Sequence, residues 1–221
     1  MQQSSLFLTL FLLIILLCEC APARFVKPLE KEEWAIGVNA GGPLIQLNGT
    51  TLPVPFSSVY VGYGLKDRLT LHAGLHATSL IYKTMQLDMG ATYLVWNMDV
   101  LRPGFSINGT LNGMMDFRQY NARLYPSLSG NLFYDYKYGR LYGGMEQWID
   151  LFKNAVPDGS PHNYWIPSFY VGQTIKLGKW EMSLEYKNLA PFSWNKGQVV
   201  RYARRGDRGA NGIYLGLQKR F

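Results

Sequence analysis

Apolar and polar side chains alternate with the two-residue period of a β-strand along most of the chain after residue 33. Trp34, Ile36, Val38 and Ala40 face away from Ala35, Gly37, Asn39 and Gly41. Val59, Val61, Tyr63 and Leu65 face away from Ser58, Tyr60, Gly62 and Gly64. Lys66, Asp67 and Arg68 then turn the chain into Leu69, Leu71, Ala73, Leu75 and Ala77, opposed by Thr70, His72, Gly74, His76 and Thr78. A turn near Tyr82 leads into Met85, Leu87, Met89, Ala91, Tyr93 and Val95, whose reverse side carries Gln86, Asp88, Gly90 and Thr92. A fifth strand sets Phe105, Ile107, Leu111 and Met115 against Ser106, Asn108, Thr110 and Asn112. Residues 124–136 and 140–152 predict a hairpin about Tyr138-Gly139. Residues 164–177 and 180–188 predict another about Gly178-Lys179, where a leading Gly suits a type II′ turn. Pro167 fits a strand end or a bulge. Residues 42–55, 153–163 and 189–210 are expected as long loops, and Asn48-Gly49 in the first of them is a turn signal. The reading is all-β, with about ten antiparallel strands in up-and-down order, eight to twelve being compatible with the pattern.

The last strand, residues 212–221, is the most informative. Ile213, Leu215, Leu217, Lys219 and Phe221 point one way, and Gly212, Tyr214, Gly216, Gln218 and Arg220 the other. A period-two strand that ends the chain in Phe resembles the closing strand of bacterial outer-membrane β-barrels. The resemblance implies a transmembrane barrel over residues 34–221 and a role for Phe221 as the signal read by the barrel-assembly machinery. Lys219 departs from the family's pattern, which has an apolar or aromatic residue there; a Lys at the membrane boundary can extend its ammonium into the headgroups. With both termini periplasmic, the tight connections around Lys66, Tyr138 and Gly178 fall on the inner side and the long ones outside, as in such barrels. The same topology brings Trp34, Tyr63, Tyr93, Phe105, Tyr136, Trp180 and Phe221 to one rim as an aromatic girdle.

The opposite end of the chain agrees. Residues 6–17 are apolar apart from Thr9, too short for a bilayer span of roughly 20 residues. With Ala21-Pro22-Ala23 behind them they read as a signal peptide over residues 1–23, leaving Arg24 as the first mature residue. Cys18 and Cys20 both precede that site. Leu17 and Glu19 before them do not suit lipid attachment, so removal with the signal and lipidation of either Cys remain the two alternatives. Residues 24–33, with charges of both signs, are expected as a short periplasmic tail.

Composition by itself points elsewhere, since the mean hydropathy of −0.08 is that of a water-soluble chain. A soluble, lipocalin-like barrel would bury the apolar faces and expose the polar ones; the signal, the alternation of loop lengths and the terminal Phe favour the reverse. The formal charge of +7 invites a nucleic-acid reading, which export argues against. Lipid phosphates and acidic glycolipid are the expected anionic neighbours of the cluster Arg201, Arg204, Arg205 and Arg208.

For chemistry, His72, His76 and Asp88 are the candidates, because a His beside a carboxylate can act as a general base. Asp88 is expected opposite Gly74, within about 7–8 Å of each histidine backbone. The two histidines stand about 13 Å apart along a strand, too far to share a metal easily. Neither a metal nor a cofactor is expected, and a lumenal hydrogen-bond network is the alternative use of the group. Glu146, Lys176, Glu181, Glu185, Lys187 and Arg220 are expected to point into the lumen, with Lys176 facing Glu181 across the Gly178-Lys179 turn. A lumen walled by about ten strands falls between the filled eight-strand barrels and open porins of about 16–18 strands. The expected role is therefore structural, adhesive or accessory, through outer loops such as residues 195–208. The alternatives are an enzyme acting on lipid or peptide, or a narrow channel; the protein partner is left open.

Overall fold

In the computed structural model, residues 22, 24–47, 50–81, 83–118, 120–151, 164–194 and 208–221 are described. The strands are β1 (Trp34–Leu47), β2 (Thr50–Pro53), β3 (Phe56–Lys66), β4 (Leu69–His76), β5 (Thr84–Trp96) and β6 (Gly104–Asp116). They continue as β7 (Asn121–Tyr136), β8 (Gly139–Ile149), β9 (Trp165–Leu177), β10 (Trp180–Trp194) and β11 (Arg208–Arg220). One short helix, α1 (Ala77–Ile81), joins β4 to β5.

β1 pairs antiparallel with β3, each strand from β3 to β10 pairs antiparallel with the next, and β11 pairs with β1 from Ala35↔Arg220 to Pro43↔Gly212, which closes a ten-strand barrel. Closure removes the sheet edges that an open sheet would leave unpaired. The short strand β2 stands outside this ring and pairs only with the end of β1, Leu44↔Pro53 to Leu47↔Thr50. Both Trp34 and Phe221 lie at one rim, here the near rim, with the turns after β3, β7 and β9. The far rim carries the β1–β2 arm, α1 and the connections after β6, β8 and β10.

Three expectations change. Residues 42–55, expected as a loop, are largely strand, because β1 runs on to Leu47 and β2 returns along it. Residues 189–194 and 208–210, also expected in a loop, extend β10 and β11. The reason is shared: Ile45, Leu189 and Ala210 continue the inward parity of their strands and pack together with Val54, the residue after β2. The turn near Tyr82 is entered by a helical turn, where Ser79 Oγ donates to the carbonyl of His76 at 2.6 Å. Pro167 lies at the end of β9, beyond its last pairing with β10, Ser168↔Leu189.

The two wall faces are inverted relative to a soluble protein. Outward residues are apolar and open, such as Leu215 at 57% and Leu128 at 58% exposure. Inward residues are polar and closed, such as Thr70 and Gln86 at 0% and Lys187 at 1%. Water cannot be the solvent of the outer face, whereas hydrocarbon can. At the near rim Trp34 packs on Tyr63 with ring centroids 4.7 Å apart, and Phe105 stacks on Trp96 at 4.7 Å. Lys219 holds its ammonium 5.5 Å from the Trp180 ring and 4.9 Å from that of Phe221, which explains how a Lys stands in this outward row.

Candidate functional site

The lumen is the site where the unusual groups converge, and it is occupied by the chain's own N-terminal segment. Residues 24–33, expected as a tail, turn back into the barrel, with Arg24, Phe25, Val26 and Leu29 all buried. Next to β1 the segment joins the end of β3, where the N–H of Glu32 donates to the carbonyl of Gly64 at 2.7 Å and the N–H of Gly64 to that of Glu33 at 2.9 Å. Higher up, the N–H of Leu29 donates to Thr70 Oγ1 at 2.7 Å, and Ser106 Oγ donates to the carbonyl of Val26 at 2.5 Å.

Glycines in the wall make the seat. A Cβ on Gly62 would overlap the Phe25 ring, one on Gly64 the carbonyl of Glu30, and one on Gly74 the Arg24 guanidinium. These inward glycines therefore answer to the segment, side chain by side chain. Phe25 has a φ of 49°, a left-handed conformation that a bulky residue holds only where its surroundings over-determine it. Here the Arg24 and Leu29 anchors lie on either side, and the ring meets Tyr60 edge-on at 5.7 Å.

Arg24 reaches the level of the histidines. Its guanidinium bonds the carboxylate of Asp88, donates to Ser58 Oγ at 3.1 Å and lies 5.1 Å from the Tyr60 ring. Asp88 also bonds His76 Nε2 at 2.9 Å, while His72 Nε2 pairs with the amide of Asn108 at 2.9 Å. Asp88 lies opposite Gly74, the register read from the sequence. The carboxylate thus joins Arg24 and His76, and His72 belongs to a separate polar group with Asn108 and Thr92. Among the described residues no group of three or more His, Cys, Asp or Glu side chains is arranged to hold a metal.

The six charged residues expected in the lumen divide into separate clusters. Lys187 pairs with Glu146, and Glu185 accepts from the Tyr142 hydroxyl at 3.2 Å. Glu181 accepts from Gln218 at 2.6 Å and pairs with Arg220 at 3.0 Å, and Arg220 also reaches Glu33 at 3.2 Å. Lys176 does lie opposite Glu181 in register, yet its ammonium is turned to Asp135, 4.0 Å away. Asp135 is the hub of a rim cluster, with Arg140 at 2.7 Å and Lys27 at 2.8 Å. Arg24, Lys27, Asp135 and Arg140 escaped the sequence reading. Asp135 and Arg140 could have been found by the turn rule that paired Lys176 with Glu181, since they flank Tyr138-Gly139 in register. Nothing local signals the inward fold of Arg24 and Lys27.

Above the segment the lumen narrows to small polar spaces. The one lined by Arg24, His72, Asp88, Asn108 and Glu146 measures about 40 Å³, and the one beside His76, Asn39 and Pro22 about 20 Å³. Such volumes admit a few water molecules. At the far end Ile45, Val54, Leu189 and Ala210, backed by Phe56, form an apolar cluster on the side of the wall made by β10, β11, β1 and β3. A closed wall, apolar outside and polar inside, is what a bilayer requires of a spanning sheet. The molecule has the architecture of a small outer-membrane β-barrel.

No protein-family model matches the chain, and no curated protein matches it. Solved structures similar to it in general form include the translocator domain of the autotransporter NalP from Neisseria meningitidis, 11% identical over 89% of this chain and 91% of that one, with a TM-score of 0.46. An outer membrane channel from Pseudomonas putida F1 is 11% identical over 92% of this chain and 100% of its own, with a TM-score of 0.44. LpxR from Salmonella typhimurium is 10% identical over 85% of this chain and 99% of its own, at 0.42.

Of the remaining sequence expectations, Arg208 begins β11, whereas Arg201, Arg204 and Arg205 lie outside the described residues, as do residues 1–21 with Cys18 and Cys20. Phe221 is 57% exposed at the near rim, its N–H donating to the carbonyl of Trp34 at 2.9 Å.

Proposed function

We propose that this protein is an integral barrel of a bacterial outer membrane whose lumen is closed by its own N-terminal segment and whose role, structural, adhesive or accessory, is exerted at the outer surface. The observation that carries the reading is the occupied bore: a segment anchored by Arg24, Phe25 and Leu29 lies inside the lumen, and the spaces beside it among the described residues are water-sized. In this reading the near rim is periplasmic, Phe221 serves the barrel-assembly machinery, and the basic residues 201–208 meet acidic glycolipid. The His76–Asp88 pair acts as a brace, because Arg24 holds the same carboxylate that a general base would need to orient its imidazole.

The test combines conductance and binding. Purified full-length protein in planar bilayers is expected to stay silent, and deletion of residues 195–207 is expected to weaken binding to glycolipid-bearing cells while leaving heat-modifiable folding intact. Steady open-channel current from the unaltered protein, or unchanged binding after the deletion, would overturn the proposal. A narrow channel is the second reading. It is favoured by the fact that the segment is bound to the wall by a handful of polar links, so that its release would open a polar path.

A further inference from the structure

The outward face of β5, β6 and β7 is notched near the far rim. Two rows cross these strands in register, Leu87↔Gly113↔Leu124 and Met85↔Met115↔Ala122. Gly113 has no side chain and Ala122 almost none, so the larger residues around them wall a groove of about 350 Å³ with an almost wholly apolar lining. Among the described residues a Cβ at Gly113 would meet only the Leu87 carbonyl oxygen, at 3.8 Å. The flexible thioethers of Met85 and Met115 suit a ligand whose shape varies.

One step further toward the rim the chemistry changes sign. The carbonyl of Lys83 accepts from the N–H of Phe117 at 2.9 Å, which places Lys83 opposite Phe117, one row beyond Met85↔Met115, with Arg118 the next residue along the chain and all three exposed. Arg123 contributes to the groove lining itself. The nearby carboxylate of Asp116 accepts from the backbone N–H of Arg118 at 2.8 Å. Lys83 and Arg118 thus lie at the rim end of an apolar slot, in the same stretch as exposed Phe117 and Tyr120, the aromatic and cationic mixture suited to a boundary between hydrocarbon and headgroups.

We infer that this groove is a binding site for one acyl chain of a phosphorylated membrane lipid, with Lys83 and Arg118 meeting the headgroup phosphate. The inference rests on the membrane placement proposed above and is independent of the loop over residues 195–207. A chain lying in the notch restores the packing that a flat apolar wall would have had, and the cations select among lipids that all carry similar chains.

Native mass spectrometry of the full-length protein, released from vesicles of phosphatidylcholine doped with lipid A, tests the site. Lipid A is expected to be retained about tenfold or more over phosphatidylcholine, the size expected of two surface cations meeting an anionic headgroup. Gly113→Leu, which fills the notch, should abolish retention of either lipid there; Lys83→Gln with Arg118→Gln should remove the preference while keeping a chain bound. Ala122→Leu serves as a second filling variant should Gly113→Leu lose heat-modifiable mobility. Equal retention of the two lipids by the unaltered protein, or unchanged lipid A retention in both filling variants, would overturn the inference. Failure of the unaltered protein to enter vesicles would overturn the membrane placement as well, so the two failures are told apart.

Discussion

At mid-lumen the side chains of Arg24 and Asp88 keep 5% and 3% of their exposure, whereas at the near rim those of Lys27 and Asp135 keep 38% and 19%. Both pairs tie the N-terminal segment to the wall, and they do so under different physics. In the middle, water is largely excluded, so the pair contributes little net stability but cannot lose one partner without stranding the other charge. At the rim, water screens and replaces the interaction. The segment is therefore held in register by its inner end and merely steadied at its outer one.

That contrast can be broken most sharply at Asp88. Replacing it with Ala leaves the Arg24 guanidinium buried without its carboxylate and is expected to destabilise the barrel by about 3–5 kcal/mol, read as a lowered midpoint in urea unfolding from lipid vesicles. The double replacement Arg24→Met with Asp88→Leu should recover most of the loss, since neither charge then remains. A single replacement as mild as the double one would show that mid-lumen is wetter than its geometry indicates.

The lipid-facing side offers the next largest effect. Leu215→Arg, on the outward face near the middle of β11, is expected to cost about 2–4 kcal/mol in the same unfolding measurement. Third comes the seat itself. Gly62→Leu collides with the Phe25 ring and is expected to cost about 1–3 kcal/mol of overpacking, or to expel the segment. Expulsion would be read as proteolytic cleavage within residues 24–33 together with channel events in planar bilayers. Smallest should be Lys27→Ala at the rim, at about 1 kcal/mol or less and shrinking in high salt. A Lys27 effect as large as that of Asp88 would erase the distinction between the two levels.

The wall was legible because its signal is local. The parity of residues 213–221, the turn at Gly178-Lys179 and the Gly74–Asp88 register all follow from a two-residue period and short connections. The far-rim extensions are less so, since Leu44 to Leu47 are held by pairing with Thr50 to Pro53, Leu189 and Trp194 pair with Ala210 and Arg208, and Ile45 packs with Leu189, partners that neither stretch announces in its own pattern. At the site, the strand pattern brings Asp88 near both His72 and His76, whereas the side chains it bonds are His76 on the wall and Arg24 from residues 24–33.

What the sequence alone determined is the ribbon: which positions face outward, where the turns fall and that the ring closes near ten strands, because alternation and turn chemistry act between neighbours in the chain. What only the tertiary structure decided is the content of the lumen. Gly62, Gly64 and Gly74 look like strand glycines of no particular purpose until Phe25, Glu30 and Arg24 are seen against them, and a complementarity between residues about 35 to 50 positions apart in sequence exists only once the wall has closed around the segment.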